Sequence, residues 1–486
     1  MSPLGALQDS PAVRARLASF FFAAIAAVDP RQVLPRYARL EPDRFVFERP
    51  RVPGEGSASL SLPDRRAGGR LRVLAIGKAA VSSAAGLQAV PGMDAVLDEG
   101  LIVSPDLPPS EAWPAAWRCL AGDHPWPGER SLSAGRAVLQ FAAAARPADR
   151  HLVLLSGGAS ALCAAPAGDL SLADKDFALR RLMRSGASIA ELNVVRKHLS
   201  ALKGGRLAVA LARAAEPPMT QFLSWPLLLT LALSDVAGDD PSVIGSGPTV
   251  ADPSTYRQAC EILQRYGLYD SVSSALRRHL EAGVAGRLAE TPKSAQDLGQ
   301  DTAFATLATL DDALEAVAAA AAAAATAGAA TVTGSAGAPR VLRLGRSLYG
   351  EVTAHATQIA SVLRRHRGEG PLLVVAGGEP VLRVQGDGRG GRAQELALRL
   401  AVALEGVPGI TVLVAGTDGR DGPTEAAGGF ADGGTLARVR ATGCDPLAAL
   451  ADNDSNRVLA AADDLFITGP TGTNVADLVV AWVDGR

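Results

Sequence analysis

Six short apolar runs, each closed by glycine, serine or a charged residue, constrain this chain more than any other feature. Residues 71–76 precede Gly77-Lys78, 152–155 precede Ser156-Gly157-Gly158-Ala159-Ser160, and 227–233 precede Ser234-Asp235. Residues 372–376 precede Gly377-Gly378-Glu379, 410–415 precede Gly416-Thr417-Asp418, and 465–468 precede Gly469-Pro470-Thr471. Runs this short, predominantly apolar and bounded by turn residues, predict strands buried on both faces. Helix-like stretches lie between them, at 131–145, 191–211 and 394–405. Strand, glycine-rich turn and helix in repetition predict α/β architecture with parallel strands. Ligands of such sheets bind beyond the carboxyl ends of the strands, so all six polar tails are expected on functional edges. A βα turn also needs glycine and caps for its own sake, and any single tail is explained by that alone.

A length of 486 residues fits two large domains or three smaller ones. The stretch 284–345 is rich in Ala, Gly and Thr, with one helix expected over 311–327, a loose connection over 328–339 and a domain junction near 255–310. Lys and Arg number 48 against 50 Asp and Glu, a net charge of −2 that argues against a general nucleic-acid binder. Cys119, Cys163, Cys260 and Cys444 show no CxxC spacing, which disfavours a disulfide scaffold or thiolate metal site and fits a reducing cytoplasm. Arg14 and Arg16 precede the apolar run 17–28, imitating a signal peptide. Asp29-Pro30 ends that run, the pattern resumes at Val33, Leu34 and Tyr37, and no convincing cleavage site appears, so a buried helix is expected. The Ala block near 313–330 is helix-forming rather than lipid-soluble, and no membrane association is expected.

Lys78, Lys175, Lys197, Lys203 and Lys293 are the only lysines; the other 43 basic residues are Arg. A chain that writes its cations as Arg retains Lys where a compact ammonium is needed. Gly77-Lys78 does not sit in a Walker A loop, because Ala79 follows and Arg72 stands where its first glycine belongs. Gly386-x-Gly388-x-x-Gly391 satisfies the dinucleotide fingerprint literally, but Glu405, at the distance of the ribose-binding acid, closes a helix instead of a strand. Arg389 and Arg392 favour a loop whose amides and guanidinium groups grip phosphate or carboxylate, with a dinucleotide site or a plain turn as the alternatives. Arg196, Lys197, Lys203 and Arg206, with Arg184 upstream and only Glu191 to oppose them, form a solvated helix face or an anion-facing surface. Gly204-Gly205 would let backbone approach a ligand there. Asp235, Asp239 and Asp240 cluster after an apolar run, as Mg²⁺ shared with substrate phosphates requires. Helix capping explains Asp239 and Asp240 equally well, and Asp235 is the stronger functional candidate. Asp418, Asp421 and Glu425 repeat the theme without matching a calcium loop.

These motifs, in order, resemble the class II glycerate kinases, the glycerate 2-kinase group. The segments that carry the resemblance are Ile76-Gly-Lys-Ala, Leu155-Ser-Gly-Gly-Ala-Ser, Leu192-Asn-Val-Val-Arg-Lys-His-Leu-Ser, Lys203-Gly-Gly-Arg and Leu233-Ser-Asp-Val-Ala-Gly-Asp-Asp. Ile244-Gly-Ser-Gly-Pro-Thr, Gly386-x-Gly-Arg-Gly-Gly-Arg, Ala415-Gly-Thr-Asp-Gly-Arg-Asp-Gly-Pro-Thr and Thr468-Gly-Pro-Thr-Gly-Thr-Asn continue it, and the last ones resemble the module named MOFRL. The resemblance spans roughly 12–482.

It implies two dissimilar α/β domains with largely parallel sheets, 1–290 and 291–486, and an active site in the interdomain cleft. It further implies transfer of the γ-phosphoryl of ATP, with Mg²⁺, to the C2 hydroxyl of D-glycerate. On this resemblance Lys78 and Arg392 are assigned to catalysis; the reading of the residues themselves adds Asp235 to catalysis and Asp235 and Asp239 to the metal. Gly157, Gly158, Ser160, Lys197, Lys203, Gly388, Gly390 and Gly391 are assigned to nucleotide, and Ser156, Arg196, Glu379 and Asp418 to substrate. Lys78 and Arg392 are expected to face one phosphoryl group across the cleft, each replaceable by Ala with loss of turnover and little effect on folding. The oligomeric state stays open, a homo-oligomer included.

Two departures from the family pattern stand out: Ala393 replaces the usual Asn, and 218–226 looks like extra sequence. Some relatives carry the label hydroxypyruvate reductase. An NAD(P)-dependent reductase would use the 386–391 fingerprint and His124 or His198. A regulator that binds sugar acid or nucleotide without turnover would draw its support from Ala393.

Overall fold

A computed structural model describes residues 11–52, 55–107, 113–212, 226–326 and 339–485. The chain forms two compact units. One is Pro30–Leu307; in the other the segment up to Asp29 joins Ala308–Arg486. The division expected at 290/291 therefore shifts, for two packing reasons given below.

In the first unit a sheet is built from β1 (Leu71–Ile76), β2 (Leu97–Ser104), β3 (Trp117–Ala121), β4 (Arg150–Leu155), β5 (Leu228–Leu233) and β6 (Thr302–Ala308). Their order is β3-β2-β1-β4-β5-β6, and the four pairings from β3 to β5 are parallel. Every residue of β1, β4 and β5 is buried, which is why these strands read as predominantly apolar runs, with Arg72, Arg150, His151 and Thr230 as the polar exceptions. The order reverses direction between β1 and β4, the topological switch point at which doubly wound sheets bind ligands. An antiparallel meander, Ala38–Leu40, Arg44–Val52 and Glu55–Ser61, precedes the sheet. Helices Leu172–Arg184, Ile189–His198, Tyr256–Arg265 and Ser274–Val284 share a separate apolar core around Leu182, Val195, Leu263 and Leu280. Three of them start at capping boxes, on Ser171, Ser188 and Thr255. The helix expected over 191–211 is two, Ile189–His198 and Arg206–Ala212, because Gly204 and Gly205 take φ of 58° and 78° between them. Because β6 is an edge strand of this sheet, the unit runs past residue 290.

The second unit holds β7 (Arg340–Gly345), β8 (Leu372–Gly378), β9 (Ile410–Gly416), β10 (Gly428–Asp432), β11 (Leu465–Phe466) and β12 (Asp477–Val483), in the order β7-β8-β12-β9-β10-β11. Within this sheet, among the described residues, only β7 and β8 pair in parallel; β12 runs antiparallel to β8 and β9, and β10 to β9 and β11. Largely parallel sheets thus hold for the first unit and give way to a mixed sheet here. Directions still combine so that β8, β9 and β11 end at one edge, and β12 begins there.

Helix Pro11–Val28 lies against helix Leu310–Thr326 and the β12–β9 side of this sheet. It buries Leu17, Phe20, Phe21, Ala24 and Val28 there, which is why the N-terminal segment belongs to this unit. By length and composition it could cross a membrane, yet it serves as a core helix. Residues 218–225 and most of the connection expected at 328–339 lie outside the described residues.

Candidate active site

At the switch point of the first unit, Ile76 leads into Gly77, whose φ of 132° and position against Ser156 exclude any side chain. Lys78 N–H donates to the Gly157 carbonyl (2.9 Å), and Ala79 N–H to Ser156 Oγ (3.0 Å). The two turns are therefore laced together, and Ser156 is spent on holding them. Gly158 has φ of 82°, and a methyl group on it would stand 3.1 Å from Lys78 Cγ and 3.2 Å from His124 Cδ2. Glycine here lets the lysine stem lie along the backbone, with His124 beside it.

Behind this loop the hydroxyl of Ser160 lies 2.8 Å from Ser246 Oγ and accepts from Lys203 Nζ at 3.0 Å. Ser246 donates to Asn193 Oδ1 (3.2 Å), which also accepts from Arg196 Nη1 (2.6 Å). Burial and the neighbouring charges of Lys175 and Arg196 push Lys203 well below its ordinary value. Burial and Arg196 lower Lys175 to about 8, and burial alone lowers Arg196 to about 10. Lys197, one residue from Arg196, points elsewhere: its ammonium is paired with buried Asp252 at 3.1 Å. Asp252 accepts from Ser254 and Thr291 as well, so Lys197 belongs to a structural network rather than to the anion-facing group.

At the common edge of the second sheet, Arg392 opens the helix Arg392–Ala403. It meets Asp477 through Nε (2.7 Å) and Nη2 (3.3 Å), and Glu379 through Nη1 (2.5 Å). Burial opposes its charge, but the two carboxylates hold the guanidinium well above its ordinary value. Asp421 caps the helix by accepting from Ala393 and Gln394 N–H at 3.1 and 2.8 Å. Burial, followed by the charge of Asp477, raises Asp421 to about 6. A Cβ on Gly416 would lie 3.3 Å from both Asp418 Oδ1 and Asp477 Oδ1, so Asp418 completes an acidic rim around one cation.

The glycine loop ahead of Arg392 behaves differently from the expectation. N–H groups of Gln385 and Gly386 donate to Asn453 Oδ1, and that of Asp387 to Asp452 Oδ1. Those of Gly388 and Arg389 donate to the Asp452 carbonyl and to Asp454 Oδ1. Side chains on Gly388, Gly390 or Gly391 would strike Asp452, Ser455 and Asp421. These glycines serve close packing, and the amides from 385 to 389 are committed to protein acceptors. Across 385–389 the loop therefore offers no free amides to cradle phosphate, as the fingerprint's pyrophosphate role would need.

The family model described as a domain of unknown function, DUF4147, matches residues 16–281, and the MOFRL family model matches 372–477. The D-glycerate 2-kinase of Thermotoga maritima is 37% identical over 74% of this chain and 78% of its own length. A protein of Agrobacterium vitis that bears a hydroxypyruvate reductase name is 39% identical over 86% of this chain and 88% of its own. The crystal structure of glycerate kinase from Thermotoga maritima superposes with a TM-score of 0.72 at 31% identity, covering 97% of this chain and all of that one. The chain belongs to the class II glycerate kinase family.

Within this glycerate kinase fold the predicted residues sort into distinct groups. Lys78, Gly157 and Gly158 meet at the switch point, and Ser160, Arg196 and Lys203 meet behind it. Arg392, Glu379 and Asp418 meet in the second unit. Asp477 and Asn193 were missed, and so was Lys175. Asp235 is half-buried directly after β5, while Asp240 caps its own turn by accepting from Ser242 N–H (2.8 Å). Asp239 sits in that turn with φ of 53°. Among the described residues no three His, Cys, Asp or Glu side chains stand together as a metal cage. Mg²⁺ is typically held by one or two carboxylates plus substrate phosphates, so the donors present fit a metal carried largely by the nucleotide. Ala393, the departure from the family pattern, packs in the apolar core of its unit.

Proposed function

We propose that this glycerate kinase transfers the γ-phosphoryl group of ATP to the C2 hydroxyl of D-glycerate, yielding 2-phosphoglycerate and ADP in the cytoplasm. The observation that carries the reading is Lys78, delivered by β1 to the switch point and braced against Gly157 and Gly158. Phosphoryl transfer asks the protein chiefly to position two reactants and neutralise charge on the equatorial oxygens. Lys78 and Arg392 are the cations assigned to that charge, and Arg392 comes prealigned by Asp477 and Glu379. The C2 oxygen bonds to the γ-phosphorus as the bond to the β–γ bridging oxygen breaks, and the hydroxyl proton leaves to solvent. Asp235 would hold Mg²⁺, which when bound supplies further neutralisation of the phosphates. Four unpaired cysteines accord with a reducing compartment.

The reductase alternative loses its main support, because the 386–391 amides are largely engaged and His198 is fixed between the Val194 carbonyl and Glu290. The regulator alternative rested on Ala393, whose side chain is part of a core. Purified protein incubated with D-glycerate, ATP and Mg²⁺ should form 2-phosphoglycerate, identified against the 3-isomer by phosphorus NMR. Lys78→Ala should lower kcat by about a hundredfold or more. NADH oxidation with hydroxypyruvate and no phosphoglycerate would sink the kinase reading.

A further inference from the structure

Lys175, Arg196 and Lys203 form a cationic cluster that the proposed phosphoryl chemistry leaves unused. Lys175 sits on the helix Leu172–Arg184 with 3% exposure, and its ammonium has no hydrogen-bond partner among the described residues. Lys203, also 3% exposed, has Ser160 as its one hydrogen-bond partner among the described residues. Besides burial, the Arg196 charge lowers Lys175, and the charges of Lys175 and Arg196 lower Lys203, with the thiol of Cys163 beside both; no carboxylate is among these influences. Burial pushes Cys163 up to about 11, so the thiol supplies no counter-charge at neutral pH. A buried cation without a partner costs several kcal/mol, and folded chains rarely retain one without a use.

The polar chain beside the cluster runs one way. Lys203 donates to Ser160, Ser160 to Ser246, and Ser246 to Asn193 Oδ1, where Arg196 also donates. Donors therefore outnumber acceptors, and the shortfall matches a carboxylate, which accepts only. Ser246 is held at φ of 65° between Gly245 and Gly247, both also left-handed. A serine pays for that conformation, and such strain collects where a side chain must be aimed.

We propose that Lys175, Arg196 and Lys203, positioned by the Ser160–Ser246–Asn193 chain, form a buried subsite for the carboxylate of the small acid substrate. The identity of that acid rests on the kinase reading above; the subsite itself rests on the unmatched donors. The near-complete burial of both ammonium groups suits a compact two-oxygen group better than a polyphosphate chain.

The test uses the full chain and the variants Lys175→Met and Lys203→Met. KM for D-glycerate should rise on the order of tenfold or more, with KM for ATP within about twofold of wild type. The ligand-free Lys175→Met protein should unfold at the same temperature as wild type or higher, because a buried unmatched charge has gone. A purely structural lysine would lower that temperature and spare KM, and that result overturns the proposal. A shift in KM for ATP instead of glycerate overturns it too, assigning the cations to nucleotide. If wild type proves not to phosphorylate glycerate, calorimetric titration with D-glycerate, lactate and glycerol still decides the subsite. Binding of the two acids but not of glycerol, lost in both variants, upholds it; no binding of either acid to wild type sinks it.

Discussion

Two charge clusters, one in each unit, are built on opposite plans. Around Lys175, Arg196 and Lys203 cations accumulate without an acid. Around Arg392 acids accumulate, with Asp477 and Glu379 in contact and Asp418 and Asp421 close by. In the first cluster no acid among the described residues matches the charge, which is what a site for an acidic ligand requires. In the second, the cation's charge is answered before any ligand arrives. A guanidinium clamped by two carboxylates is oriented rather than bare. Its service to a phosphoryl group is then one of aim as much as of charge.

The contrast breaks first at Arg392. An exposed catalytic cation can be removed with little effect on folding, and that was the expectation for both Lys78 and Arg392. Asp477, however, is buried, and Arg392→Ala leaves its carboxylate without a counter-ion. The variant should lose about 3 kcal/mol of stability by urea unfolding, together with about a hundredfold or more of kcat. Lys78→Ala should lose comparable turnover while its unfolding midpoint stays close to wild type. Adding Asp477→Ala to Arg392→Ala should return much of the stability and none of the activity. If Arg392→Ala unfolds like wild type, Asp477 does not depend on it and the contrast is wrong.

The second test sharpens the unmatched cluster through pH. Burial, then Arg196, lowers Lys175 to about 8, with Lys203 and the neutral Cys163 thiol as its other charged or titratable neighbours. Carboxylate binding needs the ammonium charged. KM for D-glycerate should therefore climb as pH rises past about 8, approaching tenfold per unit, while KM for ATP follows a different profile. Lys175→Met should lack that limb. Stability moves with the opposite sign, because the unfolded chain holds this proton more tightly and folding gains as pH rises from about 8 toward 10.5. A glycerate profile that is the same in variant and wild type removes Lys175 from the site.

Much of this arrangement was visible in the chain before folding, for identifiable reasons. Strands β1, β4 and β5 announce themselves because both of their faces are buried. Their polar tails mark the functional edge because parallel strands all leave the sheet there. Asp477 escaped for the complementary reason. It begins β12, an antiparallel strand that enters the same edge by its N-terminus, where a search for tails does not look. Gly388, Gly390 and Gly391 were visible but their packing role was not, since a glycine required by a neighbouring backbone looks identical in sequence to one required by a phosphate. Lys197 and Lys203 stand in one basic stretch, yet Asp252, 55 positions from Lys197, claims one and not the other. Lys175 had no motif at all, only the rarity of lysine in a chain that prefers arginine. The junction falls at 307/308, inside the stretch expected near 255–310, but no pattern in 11–28 says which apolar helix it will cover, so the N-terminal helix was given to the other unit.

The smallest effect concerns Asp421, where the matched cluster is least well matched. It caps the helix that carries Arg392, yet it is buried close enough to Asp477 that its carboxyl is raised from 3.8 to about 6. The folded state thus holds this proton more tightly than the unfolded chain. On this residue's account stability is greatest below the unfolded value and declines as pH rises through about 4 to 6, flattening above. Asp421→Asn keeps one acceptor for the cap, turns a donor toward Gln394 and removes the repulsion with Asp477. The opposing contributions should leave stability at pH 7 within about 1 kcal/mol of wild type. What changes is the slope: between pH 5 and 7.5 wild type should lose on the order of 1 kcal/mol relative to the variant. Unfolding curves for the two proteins at those pH values measure this directly. Parallel pH dependence would mean that Asp421 is already fully ionised by its helix amides, and that the acidic rim around Arg392 carries no internal repulsion.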